Sequence, residues 1–218
     1  ETLYLDENVK NQPAAALQLV AKEILHLSDQ VKKVLHDTVT VVKENQMQGV
    51  DKIQEESAKV TKLTDKITDY LAGLFSSGLL TEQQASQTAG LMYVLGDVER
   101  IGNLSAGIAL SMKEKETNQY KYSQEAMDEL AKCLKTLEKM FDSATKALRG
   151  DTTVELEKLM KRKDKIVNLD IMMRKSHIQR VNKGKCKASL TTPFTNILHL
   201  IDRMGNSCIN LADAATNE

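Results

Sequence analysis

A five-residue pattern that occurs twice sets the strongest limit on how this chain of 218 residues can fold. Residues 99–103 have the sequence Glu-Arg-Ile-Gly-Asn, and residues 202–206 have the sequence Asp-Arg-Met-Gly-Asn. The offset of 103 residues is close to half the chain, and the apolar positions on both sides repeat with it. A repeat of this length indicates a duplicated unit, each copy of which carries an equivalent segment.

The composition favours helices over strands. Aromatic residues make up 4% of the chain, Trp is absent, and the only two prolines lie near the ends. Apolar residues at helical spacing predict six main helices, at about 13–48, 51–75, 81–115, 120–148, 152–184 and 192–216. The predicted fold is all-α, with two tandem three-helix bundles. Residues 1–116 would hold a lead-in and the first repeat, and residues 117–218 the second.

Local signals mark several helix ends. Thr81 with Gln84, and Thr152 with Glu155, have the spacing of capping boxes, in which each side chain bonds the other residue's backbone N–H. Pro13 suits a first helical turn, because its missing N–H costs nothing there. Gly49 is predicted to separate the first two helices.

The repeated segments each place a carboxylate on a helical face that is expected to pack inward. Leu95, Glu99 and Gly102 follow one another at helical steps, as do Leu198, Asp202 and Gly205 in the second copy. A buried carboxylate is costly unless it is paired, hydrogen-bonded or bound to metal.

Two interpretations of the repeated segments stay open. In the first they form a structural or partner-binding motif of Arg100, Gly102, Arg203 and Gly205, in which the arginines meet acids on other helices and the glycines let a neighbour approach. In the second they form a divalent-metal site of Glu99, Asn103, Asp202 and Asn206, whose oxygens suit hard cations.

Positive charge is concentrated in residues 158–187. This stretch holds eleven Lys or Arg against two Asp, a net charge of +9, although the whole chain is neutral. It is interpreted as a solvated helix face or as a surface for an anionic membrane leaflet, extending from Lys158 to Lys187. A nucleic-acid partner is not predicted, because no aromatic residues interleave the charges.

No catalytic residue is predicted, because no nucleophile elbow, phosphate loop or paired metal motif is present. Glu23 and His26 have the spacing used in di-metal bundles, but no second such pair exists. Three cysteines are too few and too widely spaced for a disulfide framework. No apolar run reaches the length of a membrane span.

The sequence resembles the PhoU family. The resemblance is carried by Ile67-Thr68-Asp69-Tyr70-Leu71, Leu79-Leu80-Thr81 and the run from Asp97 to Asn103. It is strongest to the PhoU-type domain that follows the membrane region of bacterial sodium/phosphate cotransporters. Leu5-Asp6-Glu7 and Pro13-Ala14-Ala15-Ala16-Leu17 resemble the junction after the last membrane helix there.

The resemblance implies two three-helix bundles and a non-catalytic cytoplasmic regulatory domain of a sodium-dependent phosphate transporter. That domain would dock on the membrane region of the same chain, at the cytoplasmic face of the plasma membrane. A free-standing phosphate-signalling regulator with a metal site is the alternative, and a carboxylate-bridged metalloenzyme is a third hypothesis. A homodimer is left open.

The resemblance also implies a metal motif from which this sequence departs. Some family members bind iron or zinc clusters through an acid-x-x-x-Asp motif in each repeat. The acids map to Glu99 and Asp202, but the final positions are Asn103 and Asn206. An amide supplies one neutral oxygen where a carboxylate would offset cation charge. No cofactor is therefore predicted, and an iron or zinc site is kept as the alternative.

Overall fold

A computed structural model describes residues 1–117, 121–151 and 153–216 of the chain. Within these ranges there are six α-helices and no β-strand, which confirms the predicted all-α fold. The helices are α1 (Pro13–Glu44), α2 (Val50–Ser76), α3 (Glu82–Thr117), α4 (Gln124–Leu148), α5 (Leu156–Asn182) and α6 (Thr191–Thr216). Short 3-10 turns lie at Glu7–Val9, Met47–Gly49 and Ala188–Leu190.

The first helix ends earlier than predicted. Asn45 adopts a left-handed φ of 51°, and its N–H donates to the carbonyls of Val41 and Val42. Asn tolerates this conformation better than most residues, so it closes the helix where the sequence pattern suggested Gly49. The chain then makes a 3-10 turn before α2 begins at Val50.

The capping box at the start of α3 is confirmed. The Gln84 N–H donates to Thr81 Oγ1 over 3.1 Å, and the Thr81 N–H donates to Gln84 Oε1 over 3.0 Å. The helix α5 begins at Leu156 with Glu155 as its N-terminal cap residue, but the Glu155 side chain makes no capping bond. Thr152, the other half of the second predicted box, lies outside the described residues.

The six helices pack as two sets of three that share a continuous core. Within each repeat the three helices contact one another, and α1 packs on α4 while α3 packs on α6. Four helices are therefore central, and α2 and α5 lie on the outside. The apolar core runs through both repeats. Division of the chain between residues 116 and 117 stays a prediction.

None of the helices in the described ranges combines the length and apolar content needed to cross a bilayer.

The lead-in is held onto α1 by one buried carboxylate. Glu23 is fully buried, and its carboxylate accepts from the backbone N–H groups of Leu3, Tyr4 and Leu5 at distances of 2.9 to 3.2 Å. The Tyr70 hydroxyl donates to the Asp6 carbonyl over 2.8 Å, which ties the lead-in to α2 as well. These N–H groups take the place of the water molecules that the carboxylate loses when it is buried.

Candidate functional site

The repeated segments lie on α3 and α6, where Gly102 faces side chains of α1 and α2 and Gly205 faces a side chain of α5. A Cβ placed on Gly102 would lie 3.1 Å from Val31 Cγ2 and 3.5 Å from Val60 Cγ1. A Cβ placed on Gly205 would lie 3.0 Å from Lys163 Cδ. At both glycines a neighbouring side chain would therefore have to shift slightly to admit a larger residue. Val60 on α2 and Lys163 on α5 occupy equivalent positions in the two repeats, because they are 103 residues apart, as the two glycines are.

The carboxylates lie at the edge of the packed face, although the sequence pattern placed them inside it. Glu99 is only partly buried, and the Asp202 side chain is 47% exposed. The preceding residues, Val98 and Ile201, are the ones that enter the core. The difference arises because the inward stripe of each helix is centred on those residues, which leaves the next position at its border.

In the first repeat the seam between α2 and α3 is built from hydroxyl and amide groups. The Ser57 hydroxyl donates to Asn103 Oδ1 over 3.1 Å, and the Thr61 hydroxyl lies 3.5 Å from the same oxygen. Glu99 makes no ion pair or side-chain hydrogen bond with the described residues. The Asn103 oxygen is thus already occupied by neutral donors.

In the second repeat the equivalent seam, between α5 and α6, contains an ion pair. Lys163 Nζ donates to Asp202 Oδ1 over 2.6 Å, and only 13% of the Lys163 side chain is exposed. Asn206 is exposed and has no contact of the kind that Asn103 makes. The residues that correspond to Ser57 and Thr61 are Met160 and Asp164, so the hydroxyl pair is absent from the second repeat.

The side chains at the two seams do not fit a multinuclear metal cluster. No group of three His, Cys, Asp or Glu that could hold a metal ion occurs among the described residues. Asn103 directs its oxygen at hydroxyl donors, and Lys163 already neutralises Asp202. Clusters of divalent ions need several carboxylates to offset their charge. The four residues Glu99, Asn103, Asp202 and Asn206 supply two carboxylates, and these lie in different repeats.

Arg100 joins the two repeats to each other. Its Nη1 donates to Asp97 Oδ1 over 2.7 Å on its own helix and lies 3.3 Å from Ser207 Oγ on α6. Burial raises the pKa of Asp97, and the nearby Arg100 together with hydrogen bonds from Asn210, Arg100 and Ser207 opposes that rise. The four residues Asp97, Arg100, Ser207 and Asn210 form a polar patch, hereafter the α3–α6 patch, that spans the boundary between the repeats.

The counterpart of the α3–α6 patch at the other side of the same helix pair is apolar. The offset of 103 residues relates Asp97 to Leu200, Ser207 to Leu104 and Asn210 to Gly107. A Cβ on Gly107 would lie 4.0 Å from Leu200 Cδ1, so these two counterparts face each other as Asp97 and Asn210 do. Arg203, the counterpart of Arg100, is exposed, and the residue three positions before it is Leu200 where Arg100 has Asp97. The duplication therefore preserves the backbone arrangement, while the polar patch occurs once among the described residues.

The acid and histidine at 23 and 26 do not form a metal pair. Glu23 is fully used by the backbone N–H groups of the lead-in. His26 Nε2 lies 3.3 Å from the Gln30 side-chain nitrogen, one turn along α1.

A buried group of ionisable residues near the start of α4 has no counterpart in the sequence predictions. The Lys115 ammonium lies 3.6 Å from the centre of the Tyr122 ring, and burial lowers the Lys115 pKa to about 7. His177 stacks on Phe194 with ring centres 5.0 Å apart, lies 2.9 Å from Thr191 Oγ1, and has a pKa lowered by burial. Lys and His are usually solvated, so no sequence pattern indicates that these two are buried.

The described residues define a class of protein: an all-α chain of two three-helix repeats with polar seams at its surface. A sequence model described as the PhoU domain matches residues 24–112 and again residues 130–215. The chain therefore belongs to the PhoU family. No curated protein sequence matches it significantly.

Solved structures share the fold. The crystal structure of PhoU from Pseudomonas aeruginosa is similar with a TM-score of 0.82 at 15% sequence identity, covering 94% of this chain and 97% of that one. The phosphate transport system regulatory protein PhoU from Streptococcus pneumoniae is similar with a TM-score of 0.75 at 17% identity, covering 95% and 98%. At these identities the likeness concerns the fold.

Proposed function

We propose that this chain is a non-catalytic regulator of phosphate transport and signalling that works by docking on partner proteins. The observation that carries the proposal is the match of both repeats to the PhoU domain. The similar structure from Streptococcus pneumoniae is that of a phosphate transport system regulatory protein, and nearly the whole of this chain aligns with it.

The surface supports docking as the mode of action. The α3–α6 patch presents a partly exposed guanidinium and the exposed amide of Asn210, which suits recognition of a partner's carboxylates or backbone carbonyls. The Glu99 carboxylate, at the other face of α3, has no ion-pair partner among the described residues. The charged groups of the second seam are already engaged with each other.

A second candidate is the regulatory domain of a sodium-dependent phosphate transporter, at the cytoplasmic face of the plasma membrane. The observation that favours it is the lead-in, whose sequence resembles the junction that follows the membrane region in those transporters. The three N–H bonds to Glu23 fix this lead-in against α1. A membrane region joined to it would therefore meet the bundle in a defined orientation.

A replacement experiment tests the regulatory function. The chain is expressed in a bacterium that lacks its own PhoU, and a phosphate-starvation reporter is measured in high-phosphate medium. We expect the reporter to be repressed, and we expect Arg100→Ala to weaken repression more than the matched change Arg203→Ala. Folded protein at normal abundance that leaves the reporter fully active would contradict the proposal. Repression by this chain on its own favours the first candidate, because the second candidate acts only through a membrane region joined to the lead-in.

A further inference from the structure

The outer face of α5 carries a straight stripe of exposed apolar side chains. The opposite face of the helix packs on α4 and α6 through Leu159, Ile166, Leu169 and Met173. The exposed residues follow one another at steps of seven, four and seven, and they are Met160, Val167, Ile171 and Ile178. At 3.6 residues per turn they lie within about 40° of one another, along about 27 Å of the helix. Ile171 is 61% exposed and Ile178 is 56% exposed.

The helix that carries the stripe is basic. On the outward side of the stripe lie the exposed Lys161 and Lys175 together with the exposed acids Glu157 and Asp164, and the exposed Lys165 and Lys183 lie further round the helix. On the side towards α6, Lys163 and Arg174 are paired with Asp202 and Asp170. The helix as a whole has eight Lys or Arg and three Asp or Glu. The helix therefore combines an exposed apolar stripe with a net charge of +5, the difference between its eight basic and three acidic residues.

The other outer helix shows that the fold does not require this surface. The residues of α2 that correspond to the stripe are Ser57, Thr64, Thr68 and Phe75. Three of these four are hydroxyl residues, and α2 has four Lys against five Asp or Glu. Ser57 and Thr64 are buried in the first repeat, whereas Met160 and Val167 are exposed in the second, so α5 presents apolar side chains to solvent where α2 buries hydroxyl groups.

We propose that the outer face of α5 binds the surface of an anionic lipid bilayer. Lipid offers both halves of the required chemistry, because the apolar stripe enters the acyl boundary while lysines reach anionic headgroups with their stems along the interface. A second copy of α5 would bring like charges together, and a nucleic acid would leave the stripe uncovered. The contact is a property of this chain alone and does not rest on the regulatory role proposed above.

Vesicle flotation with the purified full chain tests the proposal. Neutral phosphatidylcholine vesicles are compared with vesicles that also contain phosphatidylglycerol, at low and high salt. We expect flotation with the anionic vesicles, little with the neutral ones, and weaker flotation at high salt because each lysine contributes by screened attraction. Equal flotation with both vesicles, or none with either, would overturn the proposal, and the second result would direct attention to an acidic protein partner.

Matched variants separate the stripe from general charge. The double change Val167→Thr and Ile171→Thr copies the residues of α2 at these places, so it is compatible with the fold, and we expect it to lower the bound fraction at least about tenfold. The triple change Lys161→Gln, Lys165→Gln and Lys175→Gln should also weaken binding.

The control removes the same charge from the other outer helix, through Lys59→Gln, Lys62→Gln and Lys66→Gln, and should retain binding. Circular dichroism confirms that each variant is folded. If the control loses as much binding as the α5 triple, or if the threonine variant binds as the original chain does, the proposal is wrong.

Discussion

Lys163 and Asp202 form an ion pair of 2.6 Å between α5 and α6, at the place where the first repeat sets Val60 against Gly102. The two seams have the same backbone arrangement, since each glycine admits the corresponding side chain of the outer helix. The space beside the glycine is occupied by the apolar side chain of Val60 in the first seam and by the cationic side chain of Lys163 in the second. The second seam therefore depends on its carboxylate in a way that the first does not.

Loss of the carboxylate should cost more at this seam than at an exposed ion pair. Asp202→Asn leaves the Lys163 ammonium, on a side chain that is 13% exposed, without its partner, and we expect the free energy of unfolding to fall by about 1–2 kcal/mol. Asp29→Asn removes the acid of the exposed pair with Arg149 and should cost less than about 1 kcal/mol.

Urea unfolding measures both changes. Adding Lys163→Val to Asp202→Asn places the valine of the first repeat, Val60, at the equivalent position and should recover part of the loss, because no unpaired ammonium remains. Equal losses at Asp29 and Asp202 would show that the partly buried pair contributes no more to stability than the exposed one.

The two glycines should respond differently to alanine. A Cβ at Gly102 meets Val31, a fully buried side chain with no room to move, whereas a Cβ at Gly205 meets the flexible stem of Lys163. Alanine gains about 1 kcal/mol of helix propensity at either site, and overpacking a rigid core costs about 1–3 kcal/mol. We expect Gly102→Ala to be less stable than Gly205→Ala by at least about 1 kcal/mol in urea unfolding. The opposite order would contradict the packing described here.

The sequence predicted the helices well because their apolar spacing is a local property. It missed the end of α1 because the left-handed conformation of Asn45 depends on where the chain must turn. It identified the repeated segments but not what faces them, since Val60 and Lys163 lie on other helices. The link from Arg100 to Ser207 spans 107 residues, and no local pattern marks such a contact.

The burial of Lys115 should make stability depend on pH. The unfolded chain keeps this lysine protonated up to its ordinary pKa of 10.5, whereas the folded chain loses the proton near pH 7. Between these values the unfolded state binds more protons, so raising the pH stabilises the folded state, by at most about 1.4 kcal/mol per pH unit. Lys115→Met removes this term. We expect the variant to be more stable than the original chain at pH 7, and the gap to narrow towards pH 10.

Urea unfolding across this pH range provides the measurement, and other titrating groups cancel in the difference between the two proteins. Lys121→Met, at an exposed lysine nearby, controls for the loss of one positive charge. A gap for Lys115→Met that is independent of pH would show that the ammonium is not buried.

Restoring carboxylates at the amide positions should create affinity for divalent cations, and more so in the second repeat. The offset of 103 residues places Asp164 opposite Asn206, as Thr61 lies opposite Asn103. Asn206→Asp therefore brings three carboxylates to one seam, together with Asp202, whereas Asn103→Asp adds one beside Glu99 and two hydroxyls. Oxygen ligands of this kind suit hard divalent ions, and Zn²⁺ also accepts carboxylates.

We expect calorimetry with Mn²⁺ and Zn²⁺ to show tighter binding for Asn206→Asp than for Asn103→Asp, and tighter still for the double variant. Adding Lys163→Val should increase the affinity again, because the ammonium that competes for Asp202 is removed. Asn196→Asp, an exposed change on the same helix, controls for the added charge. If the double variant gains no more affinity than this control, the two seams do not have the geometry of a metal site.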